Sequence, residues 1–189
     1  ELVRLSRAAG PDDLILVHFA CHGTLVDGRP VLVTQESRAP TLDETTLPLA
    51  EVERVLRKSQ ARRLVLTLDA CHTGVDTGRE AADPAFLENV HHLAEGFALL
   101  AASTSQQVAQ ESEARQHGVF TYHLIQGLRG QADRQRKGFV TVDDIKIHVL
   151  DALRRWNVEH GGLAQDPSAR TEGVGDMILS HYRVGKRQG

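Results

Sequence analysis

The chain has 189 residues, of which 41% are hydrophobic and 25% are charged, and these values are typical of one soluble globular domain, here residues 1–189. The formal charge of −3 gives no general attraction to nucleic acid or to an anionic membrane, and no apolar run approaches the length of a membrane-spanning helix. Cys21 and Cys71 are too few for a disulfide framework, which favours reduced thiols in a cytoplasm.

The chain opens on a helical pattern. Leu2, Leu5 and Ala9 are spaced as on one face of a helix, and a Gly-Pro pair follows as a stop. Because the first residue is Glu1 rather than Met and the pattern begins as if partway through a helix, we expect that upstream sequence has been removed.

Further along, apolar runs bounded by turn residues predict strands over Leu14–Ala20, Pro30–Thr34, Arg63–Ala70, Gly96–Ser103 and Gly175–Ser180. Amphipathic patterns predict helices over Pro48–Gln60, Val119–Gly130 and Thr141–Trp156. This alternation predicts an α/β fold whose mainly parallel sheet is covered on both faces. Long loops are expected after three of the strands, on the edge where such sheets bind ligands, over Leu25–Leu47, His72–Glu95 and Thr104–His117.

Two of the predicted strands are followed by the same three letters. The chain reads FACHG over Phe19–Gly23 and DACHTG over Asp69–Gly74. Since each triplet is expected just past the end of a parallel strand, the two can meet on one edge of the sheet. A histidine there can accept the proton of a cysteine thiol and return it to a leaving amine. On chemistry alone the pair is either Cys71 with His22 or Cys21 with His72.

Two other interpretations of the triplets are possible. Two cysteines and two histidines form a complete set of zinc ligands. Adjacent residues of an extended chain point to opposite sides, however, so we expect no metal there. In the other interpretation both cysteines are small buried apolar side chains and the histidines only cap the strand ends.

The two motifs, LILVHFACHG and RLVLTLDACHTG, together resemble the caspase-like cysteine peptidases, in particular the metacaspase-like and prokaryotic branch. In that family one hydrophobic strand ends in His-Gly and another ends in Asp-x-Cys-His-x-Gly. The family spacing of about fifty residues from His to Cys fits His22 and Cys71. The resemblance continues through ALLAASTSQQ and the helix after it, and it implies a caspase-like three-layer α/β/α sandwich. We expect the first strand of the family to lie upstream of Glu1.

The resemblance also implies roles for individual residues. Cys71 corresponds to the nucleophile and His22 to the general base and acid, while the backbone N–H groups of Gly23 and Cys71 would form the oxyanion hole. Asp69 corresponds to the acidic floor of the S1 pocket and would select Arg or Lys at P1. Ser103 falls where family members line the substrate groove.

The remaining candidates are weaker signals. Cys21 is interpreted as a small filling side chain and His18 as an ordinary strand residue. Arg79 and Arg115, each in a predicted loop, are candidates for self-cleavage if the enzyme prefers basic residues. Either arginine could equally be a plain solvated side chain.

The segment from Asp133 to Asp144 has the length of an EF-hand calcium loop. Gly138 falls at position 6 of an EF-hand, but position 5 is Lys137, whose charge would repel the ion. We therefore predict a turn followed by a helix capped by Thr141. No cofactor is expected to be required, although calcium activation occurs among metacaspases, and acidic loop residues that could contribute are Asp27, Asp43, Glu44 and Asp76.

The resulting prediction is a cysteine endopeptidase that cleaves protein or peptide substrates after Arg or Lys through a Cys–His dyad. By analogy with the family it would be a regulated protease of a bacterial stress or defence pathway, controlled by a regulatory domain or an activating protein. The alternative is a latent or catalytically silent caspase-like interaction module, although the presence of both His22 and Cys71 argues against a degenerate enzyme.

Overall fold

The computed structural model describes residues 1–71, 98–104, 118–160, 168–170 and 177–183. Within these ranges the larger sheet has the strands β1 (Leu14–Val26), β2 (Arg29–Val33), β3 (Leu47–Pro48), β4 (Arg63–Cys71), β5 (Ala98–Thr104) and β7 (Ser168–Arg170). A smaller sheet pairs β6 (Phe139–Thr141) with β8 (Ile178–His181). The helices are α1 (Leu2–Ala8), α2 (Leu42–Thr45), α3 (Leu49–Leu56), α4 (Val119–Gln126) and α5 (Val142–His160).

The centre of the larger sheet is parallel and its edges are antiparallel. Its strand order is β3-β2-β1-β4-β5-β7. The pairs β1–β4 and β4–β5 are parallel, whereas the flanking pairs run antiparallel. The central parallel strands carry apolar residues on both faces, as expected of strands that are covered on both sides.

One face of the sheet is covered by α1 and α3. Leu49, Val52 and Leu56 of α3 pack with Leu66 and Leu68 of β4 in one hydrophobic cluster. The spacing of the three α3 residues places them on one side of the helix, so that side is buried and the rest of α3 is solvated.

The opposite face is covered by α4 and α5. Val142, at the start of α5, packs against Val65 of β4 together with Leu14 and Leu16 of β1. The two helices share a second cluster that includes Phe120. Helices on both faces of one sheet make the three-layer α/β/α architecture that the sequence predicted.

A tight hairpin joins β1 to β2. Val26 pairs with Arg29, so only Asp27 and Gly28 form the turn, with φ angles of 50° and 73°. Both angles lie in the left-handed region that Asp-Gly turns adopt, because this backbone twist matches that of the flanking strands. The expectation of a long loop over Leu25–Leu47 is therefore wrong: β1 continues to Val26, β2 follows at once, and a short 3₁₀ turn, α2 and β3 occupy much of the rest.

The segment from Asp133 to Asp144, which resembles a calcium loop only in part, ends in a helix cap. The Asp144 N–H donates to Thr141 Oγ1 at 3.2 Å, and the Thr141 N–H donates to Asp144 Oδ2 at 3.0 Å. These reciprocal bonds confirm the predicted helix capped by Thr141, because they satisfy N–H groups that have no partner within the helix. The Lys137 ammonium lies 2.7 Å from Asp144 Oδ2, so the carboxylate is already paired with a cation of the chain itself.

Two predicted helix ends are wrong. The helix expected over Val119–Gly130 is α-helical only to Gln126, and a π-helical turn follows over Gly127–Gln131. Gly130 in that turn has a φ of 110°, which no α-helix accommodates. The helix expected over Thr141–Trp156 extends to His160.

The burial of Leu68 predicts a large loss of stability on truncation. Leu68 has no exposed surface and contributes to the cluster between β4 and α3. We expect Leu68→Ala to lower the free energy of unfolding by about 3 kcal/mol, the usual cost of a cavity in a core. Val158→Ala is the control, since Val158 is 84% exposed. Urea unfolding measures both variants, and equal small effects would contradict the proposed core.

Candidate active site

His22 and Cys71 lie side by side on neighbouring parallel strands. The register of β1 with β4 pairs their Cα positions directly, and the next strand pairs Cys71 with Thr104. Cys71 is the last residue of β4, whereas β1 continues beyond His22 to Val26. The expectation that each triplet comes just after its strand is therefore wrong, because pairing with β2 extends β1 through the first triplet and β4 includes the cysteine of the second.

The two faces of β1 separate Cys21 from His22. Side chains alternate between faces along a strand. Cys21 packs against the cluster that contains α3, which agrees with its interpretation as a small filling side chain. Leu16 packs on the other face, His18 follows it there beside Phe120 of α4, and His22 is exposed further along the same face. On β1 this face therefore changes from apolar core at Leu16 to an exposed side chain at His22.

Asp69 is buried between β4 and the start of α4. Its side chain is only 3% exposed, although it is ionisable. Asp69 Oδ2 accepts a hydrogen bond from the Thr121 N–H at 3.2 Å and another from the Thr121 hydroxyl. These bonds and the positive end of the α4 dipole offset part of the cost of burying the charge. Asp69 Oδ1, by contrast, has no hydrogen-bond partner among the residues that the structure describes.

Gly118 lets the backbone approach this carboxylate closely. Gly118 is the residue before α4, and a Cβ atom added to it would lie 2.7 Å from Asp69 Oδ2. That distance is shorter than any ordinary contact, so a side chain here would displace either the carboxylate or the helix start. Gly118 thus allows α4 to begin directly over Asp69.

His18 joins β1, β4 and α4 through its two ring nitrogens. Nδ1 lies 2.8 Å from Thr67 Oγ1, and Nε2 lies 3.1 Å from Thr121 Oγ1. Sequence reasoning treated His18 as an ordinary strand residue and did not single out Thr67 or Thr121. A signal was available: His18 and His22 are four positions apart, hence on the same face, and His18 is a polar residue within an apolar strand.

Burial lowers the pKa of His18 below its ordinary value, and the negative charge of Asp69 acts in the opposite direction without outweighing it. The imidazole is therefore neutral at neutral pH. A neutral imidazole has one N–H donor and one acceptor nitrogen, which suits a position between two hydroxyl groups.

The other predicted site residues fall at different places. Gly23 is buried within β1, and Ser103 lies in β5 beside position 70 of β4. Asp27 is in the β1–β2 turn, and Asp43 and Glu44 are in α2. Outside the described residues lie Arg79, Arg115 and Asp76. The functional roles of all these residues stay predictions.

Groups of three or more histidine, cysteine, aspartate or glutamate side chains that could hold a metal ion are absent from the part of the chain that the structure describes. Within that same part, every helix is too short or too polar to cross a membrane. Calcium activation stays a prediction.

The fold defines a class: an α/β/α sandwich in which a histidine of one central parallel strand lies beside a cysteine that ends the next. The chain belongs to the caspase domain family, whose model matches residues 1–173. This membership supports cysteine peptidase activity on a protein substrate. A comparison with curated proteins found no match.

The lowered pKa of His18 predicts a pH-dependent stability. As the pH falls below the unfolded-state pKa of about 6.5, the unfolded chain binds a proton that the folded protein does not yet bind. The free energy of unfolding should therefore fall with pH in this range, down to the lower pKa of the folded state.

His18→Gln removes this contribution, so its stability should depend less steeply on pH than that of the wild type. His148 has a pKa lowered by burial and by Arg134 and Arg155, and it acts in the same direction in both proteins. Urea unfolding at a series of pH values measures the difference, and parallel curves would rule out a neutral buried His18.

Proposed function

We propose that the protein is a cysteine endopeptidase with Cys71 as nucleophile and His22 as the group that carries the proton. The observation that carries the proposal is the parallel register, which pairs His22 with Cys71. Membership of the caspase domain family supports the same chemistry. The exposure of His22 is consistent with access for a peptide.

The proposed reaction is acyl transfer followed by hydrolysis. His22 accepts the thiol proton of Cys71, and the thiolate sulfur attacks the carbonyl carbon of the scissile peptide bond. The backbone N–H groups of Gly23 and Cys71 are proposed to donate to the oxyanion that forms. His22 then gives its proton to the leaving amine, and water hydrolyses the thioester with His22 as the base.

Asp69 is proposed to select Arg or Lys at P1. It lies two residues before Cys71 on β4, and its Oδ1 atom has no hydrogen-bond partner among the described residues. A guanidinium or ammonium group would satisfy this oxygen and pair with the buried charge. An acidic P1 residue would instead bring two carboxylates together, which is unfavourable.

Replacement of Cys71 tests the nucleophile. We expect Cys71→Ala to lower kcat/KM on a fluorogenic Arg peptide by at least about a thousandfold, as for other nucleophile deletions. His22→Ala should lose activity to a similar degree, because the two residues act as a unit. Cys21→Ala is the matched control, since Cys21 packs on the opposite face in the hydrophobic cluster.

Full activity of Cys71→Ala, or loss only in Cys21→Ala, would overturn the assignment. If the wild type cleaves no peptide with Arg, Lys or Asp at P1, the latent or silent module becomes the better interpretation. Circular dichroism of each variant separates a lost nucleophile from a lost fold.

Replacement of Asp69 tests the specificity. Citrulline has nearly the shape of arginine without its charge, so the ratio of kcat/KM for Arg over citrulline at P1 measures recognition of the charge. We expect Asp69→Asn to lower this ratio at least about tenfold, because a charge-assisted hydrogen bond is lost. An unchanged ratio in a folded Asp69→Asn variant would mean that another group selects P1.

A further inference from the structure

The Asp69 carboxylate is held at one oxygen only. Thr121 donates twice to Oδ2, whereas Oδ1 has no partner among the described residues and the side chain is only 3% exposed. An unsatisfied oxygen of a buried ion is costly, and such a group commonly serves a ligand. The orientation of this carboxylate therefore depends on what fixes Thr121.

His18 is the group that contacts the Thr121 side chain from β1. Its Nε2 lies 3.1 Å from Thr121 Oγ1, and its Nδ1 lies 2.8 Å from Thr67 Oγ1. The ring also stacks on Phe120, the neighbour of Thr121 in α4, with 11° between the ring planes and 6.3 Å between the centroids. The imidazole is thus held in one plane between two strands and a helix.

The hydrogen-bond inventory fixes where each proton lies. Ionised Asp69 can only accept, so the single Thr121 hydroxyl proton points to Oδ2. Thr121 Oγ1 must then accept from His18, which requires the proton of neutral His18 to be on Nε2. Nδ1 is left as an acceptor and takes the Thr67 hydroxyl proton, because Nδ1 lies 2.8 Å from Thr67 Oγ1 whereas the other acceptor near this hydroxyl, the Val17 carbonyl oxygen, lies 3.3 Å from it. The result is a continuous series of donors from Thr67 through His18 and Thr121 to Asp69.

We propose that His18, with Thr67 and Thr121, is a positioning relay that orients the Asp69 carboxylate so that Oδ1 stays available for a basic P1 side chain. The inference rests on the proposed function for the identity of the P1 side chain. The direction of the hydrogen bonds, by contrast, does not depend on the proposed function. His18 is a positioning residue, because it acts on Asp69 through Thr121.

Gly118 provides an independent constraint on the same carboxylate. A Cβ there would lie 2.7 Å from Asp69 Oδ2, the oxygen that Thr121 holds. The relay on one side and the close backbone on the other leave this oxygen little freedom to rotate. The carboxylate is thereby fixed before substrate binds, which avoids an ordering cost on binding.

The direction of the relay can be tested on the wild-type protein without any activity assay. Nuclear magnetic resonance of histidine labelled with ¹⁵N distinguishes the two neutral tautomers, and His18→Gln identifies the signal of His18. We expect the tautomer with the proton on Nε2 at neutral pH. A proton on Nδ1 would overturn the relay, whether or not the protein is a peptidase.

Its effect on specificity is tested by removing one hydroxyl. Thr121→Val keeps the shape and the backbone N–H of residue 121 but removes the bond that connects His18 to Asp69. We expect the ratio of kcat/KM for Arg over citrulline at P1 to fall about tenfold, mainly through the KM for Arg. Thr121→Ser restores a hydroxyl and should restore the ratio.

His18→Leu removes both nitrogens and should lower the same ratio, whereas the amide of His18→Gln can still donate to Thr121 and should retain part of it. If Asp69→Asn lowers the ratio but Thr121→Val and His18→Leu do not, the relay is wrong and the role of Asp69 stands. If the wild type shows no preference for Arg, the proposed specificity fails instead, and the tautomer still decides whether the relay exists.

Discussion

Nine consecutive residue pairs join β1 to β4 in parallel, from Leu14 with Arg63 to His22 with Cys71. The same register pairs His18 with Thr67 and Ala20 with Asp69, so one set of backbone hydrogen bonds aligns the polar residues that β1 and β4 contribute to the candidate site. A shift of one residue would move the polar side chains of one strand to the other face. The cluster of Leu66 and Leu68 with α3 opposes such a shift, because the shift would bring the polar Thr67 and Asp69 into that apolar cluster in their place.

Two of the helices that cover the sheet, α3 and α4, contribute differently to the site. On one face α3 packs its apolar side against the sheet, and Cys21 packs there. On the other face α4 begins over Asp69, with its backbone at Gly118 and its hydroxyl at Thr121 both against the carboxylate. The polar face of the sheet is therefore organised by a helix start, where unsatisfied N–H groups favour a negative charge.

The different roles proposed for His18 and His22 follow from how deeply each side chain is buried. Both lie on one face of β1, but His18 is enclosed by Thr67, Thr121 and Phe120, whereas His22 is exposed. Burial lowers the pKa of His18 and favours its neutral form, which suits a fixed hydrogen-bonding role. A proton carrier needs contact with the reacting groups, and of the two positions only that of His22 is both exposed and paired with position 71.

The sequence by itself determined the fold class, because apolar runs and amphipathic periods are local patterns that report burial directly. It also determined the His22 and Cys71 candidates, since their motifs are short and contiguous. The β1–β2 hairpin was readable in principle from Asp27-Gly28, yet the apolar run stops at Ala20 and gave no sign that β1 continues. Only the tertiary structure decided the environment of Asp69. Thr67, Thr121 and His18 are separated by 49 to 103 positions, and no local pattern records which of them meet. That meeting depends on strand register and on where α4 begins, both of which are set by packing across the whole sheet.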